Sequence, residues 1–112
     1  MSKKKTIRRN FKAAVLKRDN YACKCCGYQP LKDKLDEELD AHHITDRNEM
    51  PNGGYVKENG ITLCNVGKNC HLKAEKFHIS HGQDWVENMH PNDLYKMINS
   101  SKELAVEASL KL

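Results

Sequence analysis

The chain has few aromatic residues, little proline and no long apolar run, and each shortage removes a class of architecture. Aromatics are 6% of the 112 residues and hydrophobic residues 38%, against 30% charged. A large apolar core is therefore not available as the sole source of stability. No stretch approaches the roughly 18 consecutive apolar residues of a membrane span. The N-terminal MSKKKTIRRNFK is basic with no apolar stretch behind it, which is not the pattern of an export signal. A reducing cytoplasm without membrane association is the expectation. In that compartment the five cysteines read as thiolate metal ligands rather than disulfides. The length suits one domain over residues 1–112.

What is present is unevenly distributed. The net charge is +4, yet residues 1–24 hold nine basic side chains against Asp19 alone. A basic arm over 1–7, with Lys3, Lys4 and Lys5, leads into a helix carrying Arg8 and Arg9. Such a run neutralises phosphates without reading sequence, although basic runs are commonly just solvated faces. Thr6 is positioned to cap that helix, whose apolar positions Ile7, Phe11, Ala14 and Val15 recur at spacings of three to four and end near Asp19. The segment 29–38 reads as a loop with one helical turn. Residues 39–44 and 60–63 read as two short strands that can pair as a long-looped hairpin. A helix is expected from about Asn69 through Phe77, then irregular chain, then one final helix over 92–112 capped by Asn92, with Leu94, Met97, Ile98, Leu104 and Leu110 as its apolar stripe.

Two constellations carry chemistry. Cys23 and Cys26 form a C-x-x-C turn followed by Gly27, and Cys64 and Cys70 form a second, wider pair. Four thiolates suit one tetrahedral zinc that would clamp turn, strand and helix together. Cys25, inside the first turn, reads as a free thiol. The second constellation begins at Asp40-Ala41-His42-His43-Ile44. Adjacent residues on a strand point to opposite faces, so one histidine can bind an ion while the other faces substrate. His71 and Glu75, four apart on the expected helix, share a face. His42, His71 and either Glu75 or Asp40 could then hold one divalent ion, with His43 beside it. His78, His81, His90 and Trp85 read as packing or structural residues.

The order V-L-x-R-D-x-Y-x-C-x-x-C-G, D-A-H-H-I, N-G-I-T-L-C and C-H resembles the HNH endonuclease family with cysteine knuckles, over roughly residues 8–78. The resemblance implies an α+β fold, a small zinc-stapled ββα-metal domain of treble-clef-like form with flanking N- and C-terminal helices, residues 79–112 being a helical extension. It implies His43 as general base, the residue before it as metal ligand, Asn59 as the residue that holds the loop and orients the base, and His71 as the final histidine ligand. The double histidine in place of the common aspartate-histidine is similar to the variant found in bacterial nuclease toxins, and Glu75 stands where many relatives have a second helix histidine.

The implied activity is hydrolysis of DNA phosphodiesters with one divalent ion. A neutral histidine can take a proton from the attacking water at neutral pH. A carboxylate in the ligand set favours Mg2+ or Mn2+, with Zn2+ or Ni2+ as alternatives, beside a separate structural Zn2+. The implied partner is double-stranded DNA, bound by a monomer or homodimer through Lys3, Lys4, Lys5, Arg8, Arg9 and Arg47, in a bacterial or phage-infected cytoplasm. The competing readings are a non-catalytic zinc module that binds nucleic acid and a zinc-stabilised protein-interaction domain. The latter leaves His43 and Asn59 without a role.

Overall fold

The computed structural model describes residues 3–112, and its elements follow from local chemistry. Helix α1 (Lys3–Arg18) buries Phe11, Val15 and Leu16 on one side. It begins three residues before Thr6, so Lys3, Lys4 and Lys5 stand on its first turn rather than on an extended arm. Met1 and Ser2 of the expected arm lie outside the described residues. The helix ends where Asn20 and Tyr21 both take positive φ, and a single turn of helix, α2 (Leu35–Glu38), then precedes strand β1 (Leu39–His43).

β1 pairs antiparallel with β2 (Gly60–Cys64), placing His42 opposite Ile61 and His43 opposite Gly60. The strands are joined by a chain of short 3-10 turns over 47–59. The side chains of the two-stranded sheet alternate between two faces. One face meets α1, where a Cβ at Gly60 would stand 2.5 Å from Val15 Cγ2 and 2.7 Å from the Phe11 ring. Glycine there is what lets helix and strand approach. The other face meets α3 (Cys70–Ile79), capped by the Asn69 side chain, which accepts from Leu72 N at 3.3 Å.

A half-buried ion pair locks α1 to the sheet. Asp19 accepts two bonds of 2.8 Å from Arg18 and one of 2.9 Å from the Thr62 amide, while Arg18 donates to the Gly60 carbonyl at 2.6 Å. Leu39, Ile44, Ile61, Leu63 and Leu94 are fully buried, each worth about 1.5–3 kcal/mol on removal from water.

The C-terminal extension differs from the expected single helix. It forms α4 (Pro91–Met97) and α5 (Lys102–Leu110), capped by His90 and Ser101 rather than Asn92. Asn99 at φ 54° breaks the chain between them, and the serine that follows shortly after supplies a new N-cap. The break lets α5 fold back on the 47–59 connection, where Asn52 Nδ2 donates to the Ser109 carbonyl at 2.9 Å. Ser100 Oγ likewise donates to the Glu58 carbonyl at 2.8 Å. Leu94 of the expected stripe is buried, whereas Leu104 and Leu110 are exposed. Among the described residues no helix is long and apolar enough to cross a membrane.

Candidate metal centres and active site

The knuckle turn is held by its own backbone, Gly27 N donating to Cys23 O and Cys23 N to Tyr28 O, both at 2.9 Å. Gly27 takes the positive φ of 80° that this turn requires. Lys24 N donates to Thr62 O, fixing the turn against β2. Cys64 closes β2 and Cys70 opens α3, so three separate pieces of chain, the knuckle turn among them, deliver sulfur to one point. The sulfurs of Cys23, Cys26, Cys64 and Cys70 lie within 4.8 Å of one another. Cys26 and Cys64 are 3.7 Å apart and no cysteine is disulfide-bonded. A tetrahedral zinc with bonds of about 2.3 Å has S···S edges near 3.8 Å, so the donor set fits that ion. Cys25 borders the four-sulfur group without belonging to it, 4.0 Å from Met97 Sδ. Burial and the neighbouring sulfurs push its thiol up to about 11.

The second cluster sits on the other side of the sheet. His42 is 1% exposed and its Nδ1 is 3.1 Å from Glu75 Oε1. His71 Nε2 is 3.3 Å from the same oxygen. The three ligand atoms therefore converge, and His42, His71 and Glu75 form a group that could hold an ion. Asp40 is placed differently. Its Oδ2 accepts from His71 Nδ1 at 2.8 Å and from Asn65 Nδ2 at 3.1 Å, behind the ring rather than in the group. A carboxylate in that position fixes which nitrogen of the imidazole faces forward.

The electrostatics express this crowding. Burial disfavours charge on His71, but the hydrogen bonds to Asp40 and Glu75 outweigh it and raise the ring to about 9. Those same contacts, from His42 and His71, hold the Glu75 carboxyl well below the ordinary range. His42 goes the other way, lowered by burial against the pull of Glu75. In the absence of an ion the His71 proton supplies the positive charge that Asp40 and Glu75 hold, and a cation at the point where the three donors converge would take its place.

His43 points to the opposite face, as alternation demands. Its ring lies 4.7 Å from those of Phe11 and Tyr55, and burial, then the charges of His42 and Arg47, lowers it to about 4. Nε2 is buried with no hydrogen-bond partner. The turn after His43 is held by Asn59, which is fully buried. Asn59 Oδ1 accepts from Thr45 N and its Nδ2 donates to Thr45 O, both at 3.0 Å, with Gly54 O a further acceptor at 3.3 Å. Ile44 N also donates to Asn59 O at 2.9 Å.

Several contributors carried no signal in the sequence. His78, expected to be merely structural, donates from Nε2 to the His43 carbonyl at 2.9 Å and stacks on His42 with centroids 5.2 Å apart. Tyr55 sits edge-on to His43 and gathers two guanidiniums, with Arg8 5.8 Å above its ring and Arg47 Nη1 3.5 Å from its hydroxyl. Burial would raise the Tyr55 hydroxyl, but Arg47 and Arg8 bring it below its ordinary value. Lys3, Lys4, Lys5, Arg8 and Arg9 are exposed along α1. Trp85 packs on His90 with centroids 4.8 Å apart.

A two-stranded sheet and a following helix around a His–His–Glu group, with four cysteines gathered beside them, define a small α+β module of the ββα kind with two donor groups that could each hold a metal ion. The sequence model of the HNH endonuclease family matches residues 23–77, from the first knuckle cysteine to the body of α3, in agreement with the resemblance that the motifs carry. No curated protein and no solved structure matches the chain.

Proposed function

We propose that this protein is a metal-dependent DNA endonuclease in which His43 is the general base. The observation that carries the reading is the placement of adjacent histidines on opposite faces of β1. His42 joins His71 and Glu75 in one donor group, while His43 is left off it beside the basic side chains Arg8 and Arg47. A divalent ion held by His42, His71 and Glu75 supplies Lewis-acid stabilisation of the charge that develops on the phosphoryl and leaving oxygens. The Glu75 carboxylate favours Mg2+ or Mn2+, and the two imidazoles admit Zn2+ or Ni2+. Asp40 orients His71 from behind.

His43 takes a proton from water as the water oxygen adds to phosphorus and the bond to the 3′ oxygen breaks. With Nε2 sealed and unpartnered, the accepting atom is Nδ1. Burial favours the neutral ring, so the base is in its accepting form at physiological pH. Asn59 holds the following turn so that the ring cannot swing. Arg8 and Arg47 grip the backbone phosphate, and Lys3, Lys4, Lys5 and Arg9 extend the contact along duplex DNA. The four cysteines hold a structural zinc that fixes β2, α3 and the knuckle in register.

The test is nicking of supercoiled plasmid across divalent ions. The reading requires cutting with Mg2+ or Mn2+ and its loss with chelator. DNA retention without cutting under any ion would instead establish a non-catalytic zinc module. Nicked circles alone indicate a single site acting as a monomer, and linear product indicates a homodimer.

A further inference from the structure

The family match ends at residue 77, yet besides His78, which reaches the His43 carbonyl, a side chain of the C-terminal extension enters the buried network behind His43. Helix α4 starts at Pro91 with a reciprocal capping box between His90 and Asp93, which fixes its axis and so the direction of Tyr95. The Tyr95 ring is 3% exposed. Its hydroxyl donates to Asn59 Oδ1 at 2.8 Å and lies 2.7 Å from Thr45 Oγ1. With the Tyr95 proton committed to Asn59, the Thr45 hydroxyl is the donor in the second bond. The chain of donation therefore runs from Thr45 to Tyr95 to Asn59.

We propose that Tyr95 is a positioning residue for His43, acting through Asn59 and Thr45 and making the C-terminal extension part of the active-site scaffold. The inference rests on the nuclease reading above. Asn59 Oδ1 accepts from both the Thr45 amide and Tyr95. Without Tyr95, the carboxamide keeps its bonds to the Thr45 backbone and to Gly54 O but loses the one side-chain contact among the restraints on its rotation. Thr45 follows His43 by two residues, so slack there reaches the base directly. Charged chemistry is not required of Tyr95, because its burial raises the hydroxyl above its ordinary value and keeps it a donor. The interior is close-packed and the ring remains in Tyr95→Phe, so that variant removes the hydrogen bonds alone.

The experiment is single-turnover and steady-state nicking by Tyr95→Phe, well below its melting temperature and with saturating Mg2+. The kcat is expected to fall roughly three- to tenfold, the scale of one or two neutral hydrogen bonds, while KM and ion affinity stay unchanged. In an Asn59→Ala background the same substitution should cost nothing further, and amide exchange at Thr45 should quicken in Tyr95→Phe alone. Thr45→Val, which leaves the Tyr95–Asn59 bond, should show a smaller loss of the same kind and serves if Tyr95→Phe is too unstable to assay. Unchanged kcat in the folded variants, or an undiminished loss in the Asn59→Ala background, overturns the positioning role while the nuclease reading stands. A wild-type protein that cuts under no divalent ion overturns both.

Discussion

Asp40 and Glu75 both offer carboxylates to the histidine cluster, and their different placement predicts different consequences of neutralising them. Asp40→Asn preserves shape but removes the charge that accepts from His71 Nδ1 at 2.8 Å. Loss of such an orienting carboxylate weakens metal binding by about 10- to 100-fold. Glu75→Gln removes the negative charge from the group whose Oε1 is shared between His42 Nδ1 and His71 Nε2 at 3.1 and 3.3 Å, leaving a neutral amide in the donor set itself, and the loss should be larger. The proton competes here. His71 is raised to about 9 by Asp40 and Glu75 against its burial, so in the metal-free protein it is protonated at neutral pH. An ion must displace that proton, and apparent affinity should rise about tenfold per pH unit from roughly 6.5 toward 9. Asp40→Asn also lowers the affinity for the competing proton. Its deficit should thus be full near pH 9 and smaller at about pH 7, where the wild type is itself handicapped. Isothermal titration with Mn2+ at several pH values, in buffers of different ionisation enthalpy, reads both affinity and proton release. Asp40→Asn weakening binding as much as Glu75→Gln, or binding without proton release near neutral pH, refutes the assignment.

Removing one knuckle sulfur by Cys70→Ser should cost most of a structural zinc contribution, on the order of 10 kcal/mol, whereas Cys25→Ser should stay within about 0.5 kcal/mol. Zinc content and thermal melts decide this, and equal losses would put Cys25 in the cluster. Lys4→Gln with Arg9→Gln should lower the slope of log K against log salt for duplex DNA by about 2, near 0.9 for each phosphate contact. An unchanged slope places α1 off the DNA. His43 is lowered to about 4, and a base is competent above its pKa. With the ion kept saturating, nicking should therefore persist on the acid side of an ordinary histidine, and a limb near pH 6.5 would contradict the buried environment.

The knuckle, both strands, α3 and the pairing of His71 with Glu75 were legible because their signals are local: C-x-x-C, a β-favouring run, and a four-residue helical spacing. The ligand choice was not, since Asp40 and Glu75 are chemically alike and only packing sets one behind His71. Arg18 and Asp19 stood within the recognised pattern, but their locking of α1 to Thr62 depends on contacts across more than forty residues. Tyr55, His78 and Tyr95 are ordinary residues made important by position. The split of the final helix had a local sign in Asn99-Ser100-Ser101, a left-handed break followed by an N-cap. The partly regular apolar stripe across it outweighed that sign because the stripe continues in α5, where Leu104 and Leu110 face solvent.

The proposed mechanism assigns the proton transfer to His43 and support alone to the cysteine cluster. The most direct measurement is plasmid nicking by zinc-loaded, folded His43→Ala beside the wild type, with duplex binding measured on one preparation. Cutting should fall roughly 100- to 10,000-fold with DNA affinity largely retained. Undiminished cutting by that variant would contradict that assignment.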